Sequence, residues 1–365
     1  MRRHLPLLLS LAVFPGCNSA RTSTSAASPP LGGALPADEL IQPGEEHFAH
    51  LWRVTRGVDN AAEGYWSFDG TRLCLQAEPN GIAGDRIFVL ERDGAARQVS
   101  NGRGVTTCSY FLPGDRELFY ASTHAWHADC PPKPDHSQGY VWAIRPEYDL
   151  YVQDLASGRE RALTTSWGYD AEATVSPLGD RMVFTSTRSG DLELWTAKLD
   201  GSDLRQVTDA PGYDGGAFYS HDGTWLVFRS TAFTPGKEAA ERADYQRLLS
   251  QWLVRPTRME IMLVRPDGSE RKQVTRLGKA SFAPYFFPDD RRIVFATNAF
   301  DQNPRGRNFE LAAVDPDGTK LERITKFDGF DGFPMFSPDG KWFVFASNRG
   351  GSKEGETNLF VAQWK

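Results

Sequence analysis

Apolar and polar residues alternate along most of the chain in short runs, each bounded by a turn signal. Alternation with period two is the pattern of half-buried β-strands, and Asp-Gly between two such runs marks a tight hairpin. One unit recurs six times: SFDGTRLCLQA at 67–77, LPGDRELFYAS at 112–122, SPLGDRMVFTS at 176–186, SHDGTWLVFRS at 220–230, FPDDRRIVFAT at 287–297 and SPDGKWFVFAS at 337–347. After each turn the strand alternates, as in Met182 and Phe184 or Ile293 and Phe295. A second strand, a second Asp-Gly turn and a closing segment of Gln-Val-Thr type follow, as in ELWTAKLDGSDLRQVT at 193–208, EIMLVRPDGSERKQVT at 260–275 and ELAAVDPDGTKLERIT at 310–325. One repeat therefore reads as four antiparallel strands. A single such sheet cannot bury both faces, so six of them must stack radially, which predicts an all-β, six-bladed β-propeller of four-stranded blades. The sixth repeat stops at its third strand, NLFVAQWK at 358–365, while HFAHLWRVT at 47–55 stands upstream as an orphan fourth strand. The N-terminal strand is expected to complete the last blade and so remove an exposed sheet edge.

Composition sharpens this picture in two places. A length of 365 residues alone points to two domains; the repeats make it one ring over residues 45–365. The 34 glycines, 23 prolines and 12% aromatic residues are largely the same turn-and-strand set written repeatedly. A net charge of −6 gives no electrostatic footprint for nucleic acid, and none is expected as a partner. Residues 1–17, MRRHLPLLLSLAVFPGC, join a basic start to an apolar stretch too short to span a bilayer. They resemble a bacterial lipoprotein signal with Cys17 as the lipidated residue; an ordinary cleaved signal is the alternative. Residues 18–44, rich in Ser, Thr, Ala and Pro at their start, read as a flexible tether. Together these features predict export to the bacterial periplasm, with anchoring to the outer membrane through Cys17 as the only membrane contact.

The turn pattern itself carries a resemblance. FSPDGKWFVFASNR at 336–349 has an aromatic residue, then Ser-Pro-Asp-Gly, then a strand ending in Ser and Arg. It is similar to the repeats of the TolB-type propeller family, and the likeness extends over about residues 45–365. Gly114-Asp115 and Asp289-Asp290 depart from the Asp-Gly turn, and are expected to weaken those two turns slightly. The resemblance implies an envelope scaffold that works through protein contacts.

Propeller topology sorts the loops onto two faces. The short hairpins share one; the loops between second and third strands, and the links between blades, share the other. Two long insertions, at about 123–148 and 231–258, are both second-to-third loops, so both should project over the mouth of the central channel. Long loops gathered on one face are commonly functional. The second insertion holds KEAAERADYQRLLSQWLV at 237–254, a rough helical stripe that Pro256 ends. The links and strand ends on this face supply a mixed set of charges: Glu63, Asp170, Glu172, Asp214 and Asp331, with His124, Arg188, Arg229, Asn298 and Arg349. As a set they are the expected ligand-binding residues; singly, each is equally suited to capping loops and stitching blades. Asp170 and Glu172, two apart on an extended segment, should share a face.

The first insertion adds His124, His127 and Cys130 at every third residue, with Cys108 within reach of them, so a bound metal ion is conceivable. The simpler reading in an oxidising compartment is a Cys108–Cys130 disulfide pinning the loop, with Cys74 as a buried free thiol. No cofactor is predicted. The chain has no G-x-S-x-G elbow, no His-Glu-x-x-His helix and no phosphate-cradling loop. Two functional classes follow. One is a non-enzymatic module that binds a protein, peptide or envelope polymer at the channel mouth. The other is a polysaccharide lyase or hydrolase with a metal or carboxylate site on the same face.

Overall fold

A computed structural model describes residues 28–365 except 80, 136, 138, 304, 305, 307 and 354. Cys17, the signal and the first part of the tether lie outside the described residues. Six antiparallel sheets form the propeller. Their inner strands are Val58–Trp66, Thr106–Phe111, Asp170–Val175, Asp214–Tyr219, Ser281–Phe286 and Asp331–Phe336, and neighbouring inner strands touch around a closed ring. The core lies between blades, built from alternating residues of the second strands such as Phe184, Phe228, Phe295 and Phe345, with third-strand residues such as Ile261 and Leu311.

The closure expected from the orphan strand is present. Phe48–Arg53 pairs antiparallel with Asn358–Trp364 as the fourth strand of blade six. Its chemistry matches the other blades. The Thr55 hydroxyl accepts the Leu359 N–H at 2.9 Å. Ser100, Thr164, Thr208, Thr275 and Thr325 do the same for Ile87, Leu150, Leu194, Ile261 and Leu311 at 2.8–3.0 Å. This is why the fourth strands end in Thr or Ser: the hydroxyl satisfies a third-strand N–H that the short fourth strand leaves without a ladder partner.

The segment read as tether is ordered at its C-terminal end. Leu31 and Ala37 are buried, Leu35–Pro36 adds a fifth strand to blade six, and the Asp38 carboxylate accepts the Leu51 N–H at 2.7 Å. Apolar side chains at 31 and 37 interrupt the polar run and give the segment something to bury.

The two departing turns are not weak. Asp115 and Asp290 occupy the left-handed position held by glycine in the other four turns, with φ of 57° in both. The Asp115 carboxylate accepts the N–H groups of Phe68 and Asp69 in the preceding blade at 2.8 and 2.9 Å. That of Asp290 accepts those of His221 and Asp222 at 3.0 and 3.2 Å. Phe68 and His221 stand where the other four turns have Pro113, Pro177, Pro288 and Pro338, which have no N–H to offer. Pro113, Pro288 and Pro338 lie against Gly179, Gly340 and Gly70, Leu178 lies against Gly223, and the other two interfaces set N–H groups against aspartate.

Candidate functional site

In every blade the ladder between the inner strand and the next slips. The slips fall between Ala62 and Tyr65, Thr107 and Tyr110, Ala171 and Thr174, Gly215 and Phe218, Phe282 and Tyr285, and Gly332 and Met335. Within each slip one residue is left-handed: Glu63, Cys108, Glu172, Gly216, Ala283 and Phe333, with φ of 48–60°. Such a bulge re-aims a side chain, here inward. The six related positions ring the channel, acids and a thiol on blades one to three, small or apolar residues on blades four to six. Two residues further along, Tyr65, Tyr110, Thr174, Phe218, Tyr285 and Met335 are buried. The Tyr65 and Phe218 rings meet across the axis at 5.5 Å, and Phe218 and Tyr285 at 5.2 Å. This layer stops the channel, leaving a blind neck that faces the insertions.

Arg229 completes the neck. It lies on a second strand and reaches the channel because Gly216 leaves room, a Cβ there sitting 2.1 Å from its Nη1; Gly215 does the same for the Glu172 carboxylate, 2.4 Å from where its Cβ would be. Its guanidinium donates to the Glu172 carboxylate and, at 2.6 Å, to the Tyr213 hydroxyl. Glu172 also accepts from Tyr213 and Thr185, both at 2.7 Å, and from the Gly216 N–H at 2.9 Å. Burial pushes the Glu172 carboxyl up, but the Arg229 charge and these donors outweigh it and hold it below the ordinary glutamate range. Glu63 has no such support. Burial pushes it up to about 7; the Cys108 thiol opposes the rise and the Glu172 charge adds to it. Its Oε2 is buried without a hydrogen-bond partner. Burial, with the Glu63 and Glu172 charges, raises the Cys108 thiol as well, so it is a neutral neighbour and not a nucleophilic thiolate. One carboxyl is therefore ionised and paired, the other poised between states in the same neck.

The insertions roof this neck. Trp142 and Ala143 of the first pair antiparallel with Val254 and Leu253 of the second. The Trp142 ring lies 5.5 Å from the Arg229 guanidinium, whose other neighbour is the Tyr213 ring at 4.6 Å. The helix of the second insertion is Glu238–Leu249.

Of the ten residues expected at the mouth, Glu63, Glu172 and Arg229 come together in the neck. The others hold blades in shape. Asp170 takes Arg188 at 2.8 and 2.9 Å, and Asp214 takes Arg271 at 2.6 and 3.0 Å. Arg349, 0% exposed, is clamped between Asp331 at 2.8 Å and Glu45 at 3.0 and 3.1 Å. Asn298 bridges the Ala280 N–H and the Gly306 carbonyl, both at 2.9 Å. His124 sits between Ser122 at 2.8 Å and Glu160 at 3.0 Å. Asp170 and Glu172 do not share a face, because Glu172 is the left-handed residue of the bulge. The expected Cys108–Cys130 disulfide is absent. Cys108 is spent at the neck, while the Cys130 sulfur rests against Gly84 of a blade-one loop and bonds the Pro131 carbonyl at 3.4 Å. The metal candidates do not converge either. His127 pairs with Glu147 at 3.3 Å, away from Glu160, and among the described residues no three His, Cys, Asp or Glu side chains are arranged to hold an ion. Tyr213, Thr185 and Trp142 are neck residues that the sequence pattern does not mark, and Cys108 stands there as a free thiol instead of a disulfide partner. The Gly215-Gly216 pair inside a strand was the one available signal, since glycine there marks a close approach.

No family model matches the chain. It is 28% identical over 190 residues to an uncharacterized protein of Agrobacterium fabrum, covering 45% of this chain and 64% of that protein. It is 29% identical over 150 residues to a TolB homolog of Chlorobium luteolum, covering 36% and 34%. The chain thus aligns with less than two thirds of either relative. Among solved structures, a protein of Agrobacterium tumefaciens assigned to TolB superposes with a TM-score of 0.57 at 19% identity, over 86% of this chain and 92% of that one. An oligogalacturonate lyase solved with manganese superposes with a TM-score of 0.52 at 14% identity, over 91% and 96%. In part of its sequence and in its fold, the chain is similar to TolB-like propellers.

Proposed function

We propose that this chain is an exported, TolB-like propeller that binds an envelope protein or peptide at the roofed mouth of its blind neck. The observation that carries this reading is a group of exposed aromatic side chains on the insertion face. Trp126, Tyr140 and Trp167 are 48%, 63% and 57% exposed. Trp167 packs edge-on against Trp126 at 5.2 Å and Trp252 at 6.4 Å. Tyr140 accepts from the Trp142 indole at 3.0 Å, which links the group to Arg229 and the neck. Exposed Trp and Tyr beside a polar recess are the composition of a protein-binding hot spot. The sequence likeness to TolB homologs agrees with such a role, as does the signal-like start with Cys17 as a lipid anchor to the outer membrane. Among the described residues no helix is long and apolar enough to cross a membrane.

Site-specific photo-crosslinking in the native host tests the reading. A crosslinker at Trp126 or Tyr140 should capture a discrete protein adduct, and one at Leu178 or Leu321 on the hairpin face should not. Adducts only from the hairpin face would overturn it.

A second reading rests on Glu63. A carboxyl poised near neutrality beside an ionised carboxylate is the arrangement of a general acid or base. On this reading the neck cleaves an envelope polysaccharide by elimination or hydrolysis. Release of reducing ends from a polysaccharide panel, lost in Glu63→Gln, would favour it over the binding module.

A further inference from the structure

The helix Glu238–Leu249 buries only two of its side chains, Tyr245 and Leu248. Tyr245 joins the propeller core, and its hydroxyl donates to Asp191 in the second-to-third loop of blade three. Around that anchor, Ala240, Glu241, Asp244, Tyr245 and Leu248, one helical stripe, line a cavity of about 560 Å³. Phe233 on the opposite wall completes an apolar lining with Tyr245 and Leu248, and Lys237, Arg255 and Arg258 bring three positive charges. This volume is in the range of small-molecule sites.

The charges of this cavity are unevenly matched. Glu241 accepts the Thr234 N–H at 2.6 Å. Asp244 is taken by Arg247 at 2.7 Å and Arg255 at 3.7 Å. Arg258 is held in place through its backbone, its carbonyl accepting the Ala232 N–H at 3.1 Å. Its guanidinium makes no hydrogen bond or ion pair with any described residue, and its Nε is buried without a partner. Arg258 is half-buried, and its charge acts on the Glu241 carboxylate without a direct ion pair; a carboxylate is the natural fork-to-fork partner of such a guanidinium.

We propose that the cavity beneath this helix is a binding site for a small monocarboxylate. The carboxylate pairs with Arg258, and an apolar or aromatic body lies against Phe233, Tyr245 and Leu248. Lys237, Arg255 and Arg258 against Glu241 and Asp244 leave the lining one positive charge in excess, which calls for one negative charge, and an apolar wall calls for a hydrocarbon body. The site is separate from the neck and stands whether or not the neck binds a protein.

Calorimetric titration of the purified chain with 3-phenylpropionate, its amide and inorganic phosphate tests this. The carboxylate should bind with a Kd of about 1 mM or tighter. The amide, and Arg258→Gln with the carboxylate, should be weaker by about tenfold or more, the loss of one charged hydrogen-bonding pair. Ala240→Trp, on an exposed helix position, fills the cavity with Arg258 intact and should abolish binding even if the arginine variant proves unstable. No binding of 3-phenylpropionate, equal binding of the amide, or tighter binding of phosphate overturns the proposal. Carboxylate binding unchanged in either variant does so too.

Discussion

Replacing Glu63 by glutamine should stabilise the protein, and only at high pH. The carboxyl titrates near 7 in the folded state because burial disfavours its charge. In the unfolded chain it titrates near the ordinary 4.5. Below 4.5 both states hold the proton, so the group imposes no penalty. As pH rises from 4.5 towards 7 the unfolded chain ionises first, and stability is lost progressively; above 7 the loss is complete. At about 1.4 kcal/mol per pH unit, that interval corresponds to about 3 kcal/mol. Glutamine retains the shape and removes the charge. Urea unfolding of the two proteins should therefore coincide within about 0.5 kcal/mol at pH 4 and diverge by about 3 kcal/mol at pH 9, with Glu63→Gln the more stable. Taking the difference between variant and parent cancels the titration of every other carboxyl. A difference independent of pH, or a less stable variant at pH 9, would refute the burial argument.

Three further outcomes follow from contacts elsewhere. Asp115→Ala should cost about 2–3 kcal/mol in urea unfolding, since it strips the acceptor from two backbone N–H groups; Phe68→Pro with Asp115→Gly, which rebuilds the proline-against-glycine interface of three other blade pairs, should recover more than half of that. Gly216→Ala should cost about 3–5 kcal/mol by displacing Arg229 from Glu172, and about 1–2 kcal/mol when Glu172→Gln and Arg229→Gln are already present. Cys74, Cys108 and Cys130 should all be alkylated when the protein is denatured without reductant, as read by intact mass; a modification count two lower would show a disulfide.

The fold was legible because its determinants are local and repeated. Turn residues and period-two strands recur six times, and the Trp-Arg-Val-Thr at 52–55 matched the other fourth strands well enough to reveal the closure. The turn departures were visible too, but their meaning lay in the neighbouring repeat: Asp115 answers Phe68 and Asp290 answers His221. The site was less legible for a geometric reason. Alternation assigns faces by parity, and a one-residue slip in each inner strand reverses parity at Glu63, Cys108 and Glu172. Parity therefore groups Glu172 with Asp170, whereas the bulge turns Glu172 into the channel. Arg188, Arg349 and Arg229 are alike in sequence as cations near strand ends, yet of the three only Arg229 faces a glycine, Gly216, and only it crosses into the channel. The cysteines misled because pairing was argued from compartment and count, which say nothing of where each thiol points.

The two-residue ladder between the insertions has a mechanical consequence. Trp142–Ala143 belongs to a loop of blade two and Leu253–Val254 to a loop of blade four, so their pairing passes over blade three. A ring sealed only along its circumference can be sprung at one seam, and here the seam is the strand contributed by Phe48–Arg53. The ladder is a chord across that ring. Blades two to four form a braced arc whose ends stay tied if the seam at blade six opens. Force applied through the N-terminal segment would therefore peel blade six first and leave the roofed neck standing.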